Sequence, residues 1–328
     1  MKSSADIRIE NKKLIYRLML DGNQYTKQQV SKGTGLSVAT CNTLLNDLQT
    51  QKIVSGGRKL AGEVGRSSVL YQINEEHESY LLLVVSVEKG SKLFEITVVS
   101  PLQTVLFREK AAYEAVDYEM IEKAVESILG KYTNISQIII GVPGITEQGI
   151  IKQCDIPELE DVPLKSRLED IFHIPVSMEN DMHHMAYGYC KKTNTENEVV
   201  TLACYPSRVL PGTVTIHNGM IISGANGIAG LIGFLPYNMS REKLLEALEP
   251  EKCVPFIAQS IGVIITLLNP NTIVFTGDLI EESVLEQVKI ICRKSIPAEY
   301  MPQFLFVNSF DEYHREGMYQ LAVDKKEL

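Results

Sequence analysis

The chain has 328 residues, 45% of them hydrophobic and 22% charged, with a formal net charge of −9. This is room for two or three domains of ordinary globular composition, and the acidic balance, taken whole, argues against a nucleic-acid binder. The charge is unevenly spread, however: residues 1–66 carry 11 Lys and Arg against 5 Asp and Glu, and the remainder 21 against 36, which suggests a basic DNA-contacting module on an acidic body.

In chain order, residues 11–20 place Leu14, Ile15, Leu18 and Met19 on one helical face and stop at Asp21-Gly22. Two short helices follow within 25–51. Thr26 can cap the first, which has Val30 as its apolar anchor and runs out at Gly33-Thr34-Gly35. Ser37 can cap the second, whose apolar positions are Cys41, Leu44, Leu45 and Leu48. Its outer face near the start is Val38, Ala39, Thr40, Asn42 and Thr43, small and uncharged, with no acid before Asp47. Such a surface suits a helix that enters the DNA major groove, although an ordinary helical hairpin in a bundle would look similar. After it come Ile53-Val54, a turn expected at Gly56-Gly57, and a strand over 68–73. This reads as a basic hairpin, or wing, whose Arg58, Lys59 and Arg66 are expected to meet phosphates or a minor groove, unless they are simply solvated. The whole of 1–74 reads as a winged helix-turn-helix domain, with Thr26, Ser37, Val38, Thr40, Asn42, Thr43, Lys59 and Arg66 as candidate DNA contacts.

Residues 74–79 are a polar junction, and 75–328 reads as one effector and dimerisation domain. Strands are expected at 80–87, 93–99 and 104–108, a helix at 118–129 and a fully apolar strand at 138–142. A helix at 163–171, a strand at 175–178 and a helix at 181–190 follow. The style repeats with strands at 198–204, 213–217 and 220–223 and helices at 241–248 and 254–268. A strand at 272–275, a helix at 282–294, a strand at 304–307 and a last helix complete it. Two α/β lobes facing a cleft are expected. Six dispersed cysteines without a C-x-x-C pair read as reduced thiols in a cytoplasm, not as a disulfide framework or zinc knuckle. Residues 1–10 are polar, so no secretory signal is expected, and the apolar runs are too short to cross a membrane.

Several short motifs occur in one order: Leu36-Ser37-Val38-Ala39-Thr40, Gly65-Arg66, Gly141-Val142-Pro143-Gly144, Asp161-Val162-Pro163-Leu164, Ile174-Pro175-Val176 with Glu179-Asn180-Asp181, Ala229-Gly230 with Ile232-Gly233, and Asn269-Pro270 with Phe275-Thr276-Gly277. Over nearly its whole length the chain thereby resembles the ROK (repressor, open reading frame, kinase) family. The resemblance implies an actin- and hexokinase-like two-lobed domain and, in the regulators, an N-terminal winged helix. In the family's kinases the Asp matching Asp181 deprotonates a sugar hydroxyl, a fitting role for a carboxylate at a helix start in a cleft. The chain departs from the kinases elsewhere. The family's Asp-x-Gly-Gly-Thr is Ser86-Val87-Glu88-Lys89-Gly90, and its second phosphate loop is residues 204–212, with Pro206 and Pro211 and a single glycine. Its Glu-x-Gly-His is Leu231-Ile232-Gly233-Phe234, and no three-cysteine zinc loop follows. His183 and His184 point about 100° apart on a helix and do not easily share an ion.

The expectation is therefore a transcriptional regulator, by resemblance a repressor, with a catalytically inactive kinase-like body, no metal and no cofactor. Its partners would be a double-stranded operator and a sugar-like or phosphorylated effector, with Gly141, Pro143, Gly144, Asn180, Asp181 and His183 as candidate ligand contacts. A symmetric homodimer would match a half-site reader, with a higher homo-oligomer as the other expectation. Two alternatives stay open: an active sugar kinase that also binds DNA, and a body that only oligomerises.

Overall fold

The computed structural model describes residues 3–60, 68–88, 91–147, 149–152, 154, 156–326 and 328. It opens with α1 (Ser4–Met19), α2 (Lys27–Thr34) and α3 (Val38–Thr50), followed by the antiparallel hairpin β1 (Val54–Leu60) and β2 (Ser68–Ile73). α1 begins seven residues before the expected start. Ser3 and Asp6 close a capping box there, each side chain accepting from the other's backbone N–H. Thr26 and Gln29 build the same box on α2, which ends at Gly35 in the left-handed region (φ 74°). Ser37 caps α3, and its four apolar positions are buried. The turn expected at Gly56-Gly57 is instead a bulge inside β1: Gly56 pairs with Tyr71 and Arg58 with Leu70, leaving Gly57 over. A Cβ on Gly56 would stand 2.9 Å from the Tyr71 ring.

The body is two lobes of one topology. The first contains β3 (Ser79–Glu88), β4 (Ser91–Val99), β5 (Val105–Tyr113), α4 (Tyr118–Leu129), β6 (Ile135–Val142), β7 (Ile145–Glu147), β8 (Ile150–Lys152), α5 (Leu164–Phe172) and β9 (Val176–Asn180). After α6 (Asp181–Thr193), the second contains β10 (Val199–Cys204), β11 (Gly212–His217), β12 (Met220–Ile221), α7 (Arg241–Ala247), α8 (Cys253–Leu268), β13 (Thr272–Thr276), α9 (Glu282–Cys292), β14 (Gln303–Phe306) and α10 (Asp311–Lys325). The sheets run β5-β4-β3-β6-β9 and β12-β11-β10-β13-β14. In each, three strands pair antiparallel and two more join parallel. From residue 138 to 142 β6 has no polar side chain, because both its faces are covered. The small hairpin β7–β8 was not expected, since three residues per strand are too few to show alternation.

Each lobe has its own core, and a further core unites the N-terminal elements with the body. In it Ile15, Tyr16 and Met19 of α1 and Leu45 of α3 share buried space with Tyr80 and Leu82 of β3, Ile139 of β6 and Met318, Tyr319 and Ala322 of α10. At its edge Lys326 donates to both carboxylate oxygens of Glu78 at 2.6 and 2.5 Å. The hydroxyls of Tyr16 and Tyr80 donate to the same carboxylate at 3.0 and 2.9 Å. Beside it, Arg17 of α1 and Tyr187 of α6 both reach Asp324 of α10, at 2.7 and 2.9 Å.

α10 crosses α6 with no space for side chains at the contact. A Cβ on Gly188 would lie 1.9 Å from the Tyr313 carbonyl oxygen, and one on Gly317 1.9 Å from that of His184. The rings of His184 and His314 stack at this crossing, centroids 5.6 Å apart. Both of His184's ring nitrogens and Nε2 of His314 are buried without a hydrogen-bond partner. Burial pushes both imidazoles down, His314 to about 4.

Candidate functional site

The outward arc of α3 carries Val38, 48% exposed, with Ala39, Thr43, Asn46 and Thr50 also open to solvent. Thr40 and Asn42 lie half-buried on its two flanks. Thr40 Oγ1 is 2.8 Å from Ser37 Oγ, Thr43 Oγ1 donates to the Ala39 carbonyl at 3.2 Å, and Asn42 Oδ1 accepts from the Lys27 ammonium. Asp47, the first acid of α3, is turned toward α1. Lys12 and Arg8 bind it at 2.8 and 3.0 Å and hold its carboxyl below the usual range. The acid is thereby kept off the open arc. Among the remaining sequence candidates, Thr26 and Ser37 spend their hydroxyls on helix caps. Lys59 sits on β1 opposite Val69. Arg66 lies outside the described residues. Gln49 Nε2 donates to the Gly56 carbonyl at 3.3 Å and ties α3 to the hairpin.

The ligand candidates gather at the ends of β6 and β9. Asn180 is the N-cap of α6: its Oδ1 accepts from the Met182 N–H at 2.9 Å while its Nδ2 donates to the Gly144 carbonyl at 2.9 Å. The cap is thus Asn180, not Asp181, whose carboxylate also accepts from Met182 at 2.8 Å. Pro143 is half-buried between the two glycines. His183 turns to Glu179, 3.5 Å away, and His184 inward, so the two imidazoles diverge as expected. Gly141 departs from expectation. A Cβ there would meet His314 Nε2 at 2.7 Å and His184 Nδ1 at 3.2 Å, so its missing side chain faces the buried histidine pair.

Across from these residues, the 204–212 loop is braced by the second lobe. Asp278 Oδ1 accepts from the Ser207 N–H at 2.6 Å, and the Arg208 N–H donates to the Leu248 carbonyl at 3.0 Å. The Arg208 guanidinium pairs with Glu249 at 2.7 Å. Tyr205 lies in the second lobe's core with its hydroxyl 2.8 Å from Ser260 Oγ, and Phe234 is 56% exposed, so neither plugs the cleft. At the end of β10 the Cys204 thiol is pushed up to about 12 by burial and, less strongly, by the carboxylates of Asp181 and Asp278. Asp181 and Asp278 therefore act on one thiol from the two lobes. Among the described residues no three His, Cys, Asp or Glu side chains gather as a metal site, and no helix is long and apolar enough to cross a membrane. Sequence reasoning missed Lys27 and Asp278. Each is an unremarkable charge until folding sets it against a polar atom of another element.

Comparison with known proteins accords with this architecture. The ROK family model matches residues 84–254. The xylose repressor of Caldicellulosiruptor bescii is 27% identical over 241 residues, 70% of this chain and 59% of that protein. The xylose repressor of Staphylococcus xylosus is 26% identical over 246 residues, 68% of this chain and 60% of that one. The chain thus spans about three fifths of these curated relatives. Among solved structures, a ROK family transcriptional regulator, a homolog of the E. coli Mlc protein, superimposes with a TM-score of 0.70 at 16% identity over 97% of both chains. The ROK hexokinase of Thermus thermophilus gives 0.57 at 15% identity, covering 76% of this chain and all of its own. The regulator's fold therefore runs through the whole chain, the kinase's through three quarters of it.

Proposed function

This chain belongs to the ROK family, and we propose that it is a DNA-binding transcriptional repressor whose body senses a small effector without phosphorylating it. The observation that carries the reading is α3. Its outward arc is uncharged, its one acid is held away by α1, and its inner face is locked into a core shared with the body. The DNA contacts proposed are Val38, Thr40, Asn42, Thr43, Lys59 and Arg66, with Thr26 and Ser37 presenting the helix starts to phosphates. One head per chain implies a homodimer on a two-fold operator.

The reading of the body as a non-kinase rests on its phosphate side. The 204–212 loop offers few free donors to a nucleoside triphosphate. Asp278 already occupies the Ser207 N–H, Pro206 and Pro211 offer none, and the Arg208 N–H is spent on Leu248. The Asp278 carboxylate on this loop also disfavours a second anion there. The retained polar groups Asn180, Asp181 and His183, beside the 141–144 loop, suit a sugar-like effector. Leu231 and Phe234, in place of a carboxylate and an imidazole, favour one with fewer hydroxyls than a hexose. The relatives named above carry xylose in their names, a sugar with one hydroxyl fewer than glucose, which points the same way.

The test is a gel-shift selection of duplex DNA by the full chain, repeated with Ala39→Glu. The variant puts a carboxylate on the open arc and touches no core residue, so it should lower affinity roughly tenfold or more while leaving the melting temperature unchanged. Equal DNA binding by the variant would refute the assignment of α3. ADP release from ATP in the presence of sugars, lost in Asp181→Asn, would refute the non-kinase reading.

A further inference from the structure

The chemistry surrounding Asn42 restricts what it can read. Lys27, the first residue of α2, reaches Asn42 Oδ1 with its ammonium and holds that ammonium 5.6 Å from the Tyr71 ring centroid. Tyr71 is itself fixed. It is 3% exposed and exchanges two backbone hydrogen bonds with Tyr25, both 2.8 Å. One charge thus joins α2, α3 and the hairpin. An ammonium has three donors and no acceptor, so the amide atom facing it must be the carbonyl oxygen. Asn42's Nδ2 has no partner among the described residues and is not among the buried unpartnered atoms, so it is left to solvent.

We propose that Lys27 is a positioning residue that fixes the Asn42 amide with its two N–H donors outward, so that the head reads guanine and rejects adenine at the base facing Asn42. This rests on the DNA-binding reading above. An asparagine that recognises adenine must use both ends of its amide, accepting from N6 and donating to N7. Here one lone pair of the accepting oxygen is held by the Lys27 ammonium, so adenine N6–H would have to share that oxygen with a cation, whereas guanine asks only for donors. Guanine presents N7 and O6 side by side, two acceptors for an outward NH2, and thymine presents only O4. Val38 and Ala39, its neighbours on the outward arc, offer only methyl groups.

The experiment is selection from a randomised duplex pool by the full chain, followed by titration of the selected site with each base substituted in turn, for wild type, Lys27→Met, Lys27→Arg, Asn42→Ala and the Lys27→Met/Asn42→Ala double variant. Wild type should prefer guanine over adenine at one position by roughly tenfold or more. Lys27→Met frees the amide to turn, so adenine should gain at that position alone. Lys27→Arg, still a donor without an acceptor, should keep the guanine preference. The double variant should match Asn42→Ala, with no preference there. Three outcomes overturn the inference: adenine preferred by wild type, a preference unmoved in Lys27→Met, or a uniform loss of affinity in Lys27→Met with a salt slope lower by about one, which would make Lys27 an ordinary phosphate contact. Absence of any sequence-specific binding by wild type would remove the DNA reading itself and this inference with it, an outcome separate from those three.

Discussion

Replacing Lys326 with Met keeps the stem and removes the charge from the Glu78 cluster. Glu78 and Lys326 are 6% and 7% exposed, and in the variant the carboxylate would keep two tyrosine hydroxyls but no cation. Stripping one partner from such a pair costs about 3–5 kcal/mol at neutral pH. The pH dependence follows from opposing causes. Burial alone would push the Glu78 carboxyl up, but the Lys326 charge, with hydrogen bonds from Lys326 and Tyr80, outweighs it and holds the carboxyl below its ordinary value. A depressed folded value contributes stability that is present above the unfolded value and lost as pH falls through the folded one. Without Lys326 burial wins, the folded value rises above the unfolded one, and protonation relieves the variant in acid. Wild type and Lys326→Met should thus differ most near pH 7.5 and converge toward pH 5, as read by urea unfolding of the full chain. Glu78→Gln/Lys326→Met, with no charge left to bury, should lie within about 2 kcal/mol of wild type. A single-variant loss under about 1 kcal/mol, or parallel pH curves, would refute the reasoning.

Gly317→Ala puts a methyl 1.9 Å from the His184 carbonyl oxygen where neither helix has slack, so unfolding in urea should show a loss of about 3 kcal/mol or more; a loss below 1 would mean that the crossing yields. His314 is held neutral by burial, at about 4, so its contribution is present above the unfolded value of 6.5 and falls away as pH drops from there toward 4. His314→Phe should flatten that acid limb by on the order of 3 kcal/mol, and an unchanged slope in pH-dependent unfolding would count against the buried pair.

What was legible in the sequence was local. Thr26 and Ser37 could be recognised as caps because their partners lie three residues on, and the apolar face of α3 because its period is short. The two-lobed α/β architecture showed in the alternation of strands and helices, whereas the order of strands within each sheet did not, because parallel neighbours such as β10 and β13 meet only after a long excursion. The Ser3–Asp6 box opens a turn without apolar period, and Gly56-Gly57 resembles a turn because a bulge uses the same residues. At the candidate site, Asn180 and Asp181 could be singled out by motif, but which of them caps α6 depends on where β9 ends. Gly141 resembled a ligand-loop glycine, and its histidine neighbours come from two helices distant in sequence. Lys326 had no local feature to separate it from any solvated lysine.

The core shared by α1 and α10 also sets a clock. Arg17 and Asp324, which meet across it, are 307 residues apart, and a ribosome adding about 5–20 residues per second needs about 15 to 60 s to make that much chain. During that interval α1 has α2 and α3 to pack against but not α10, so the side of this core that Met318, Tyr319 and Ala322 cover stays open. α1, made well before α10, thus completes its native packing late, and a chain stalled in the second lobe would carry α1, α2 and α3 on an unfinished core. The head proposed to bind DNA should therefore reach its native packing only when synthesis of α10 is complete.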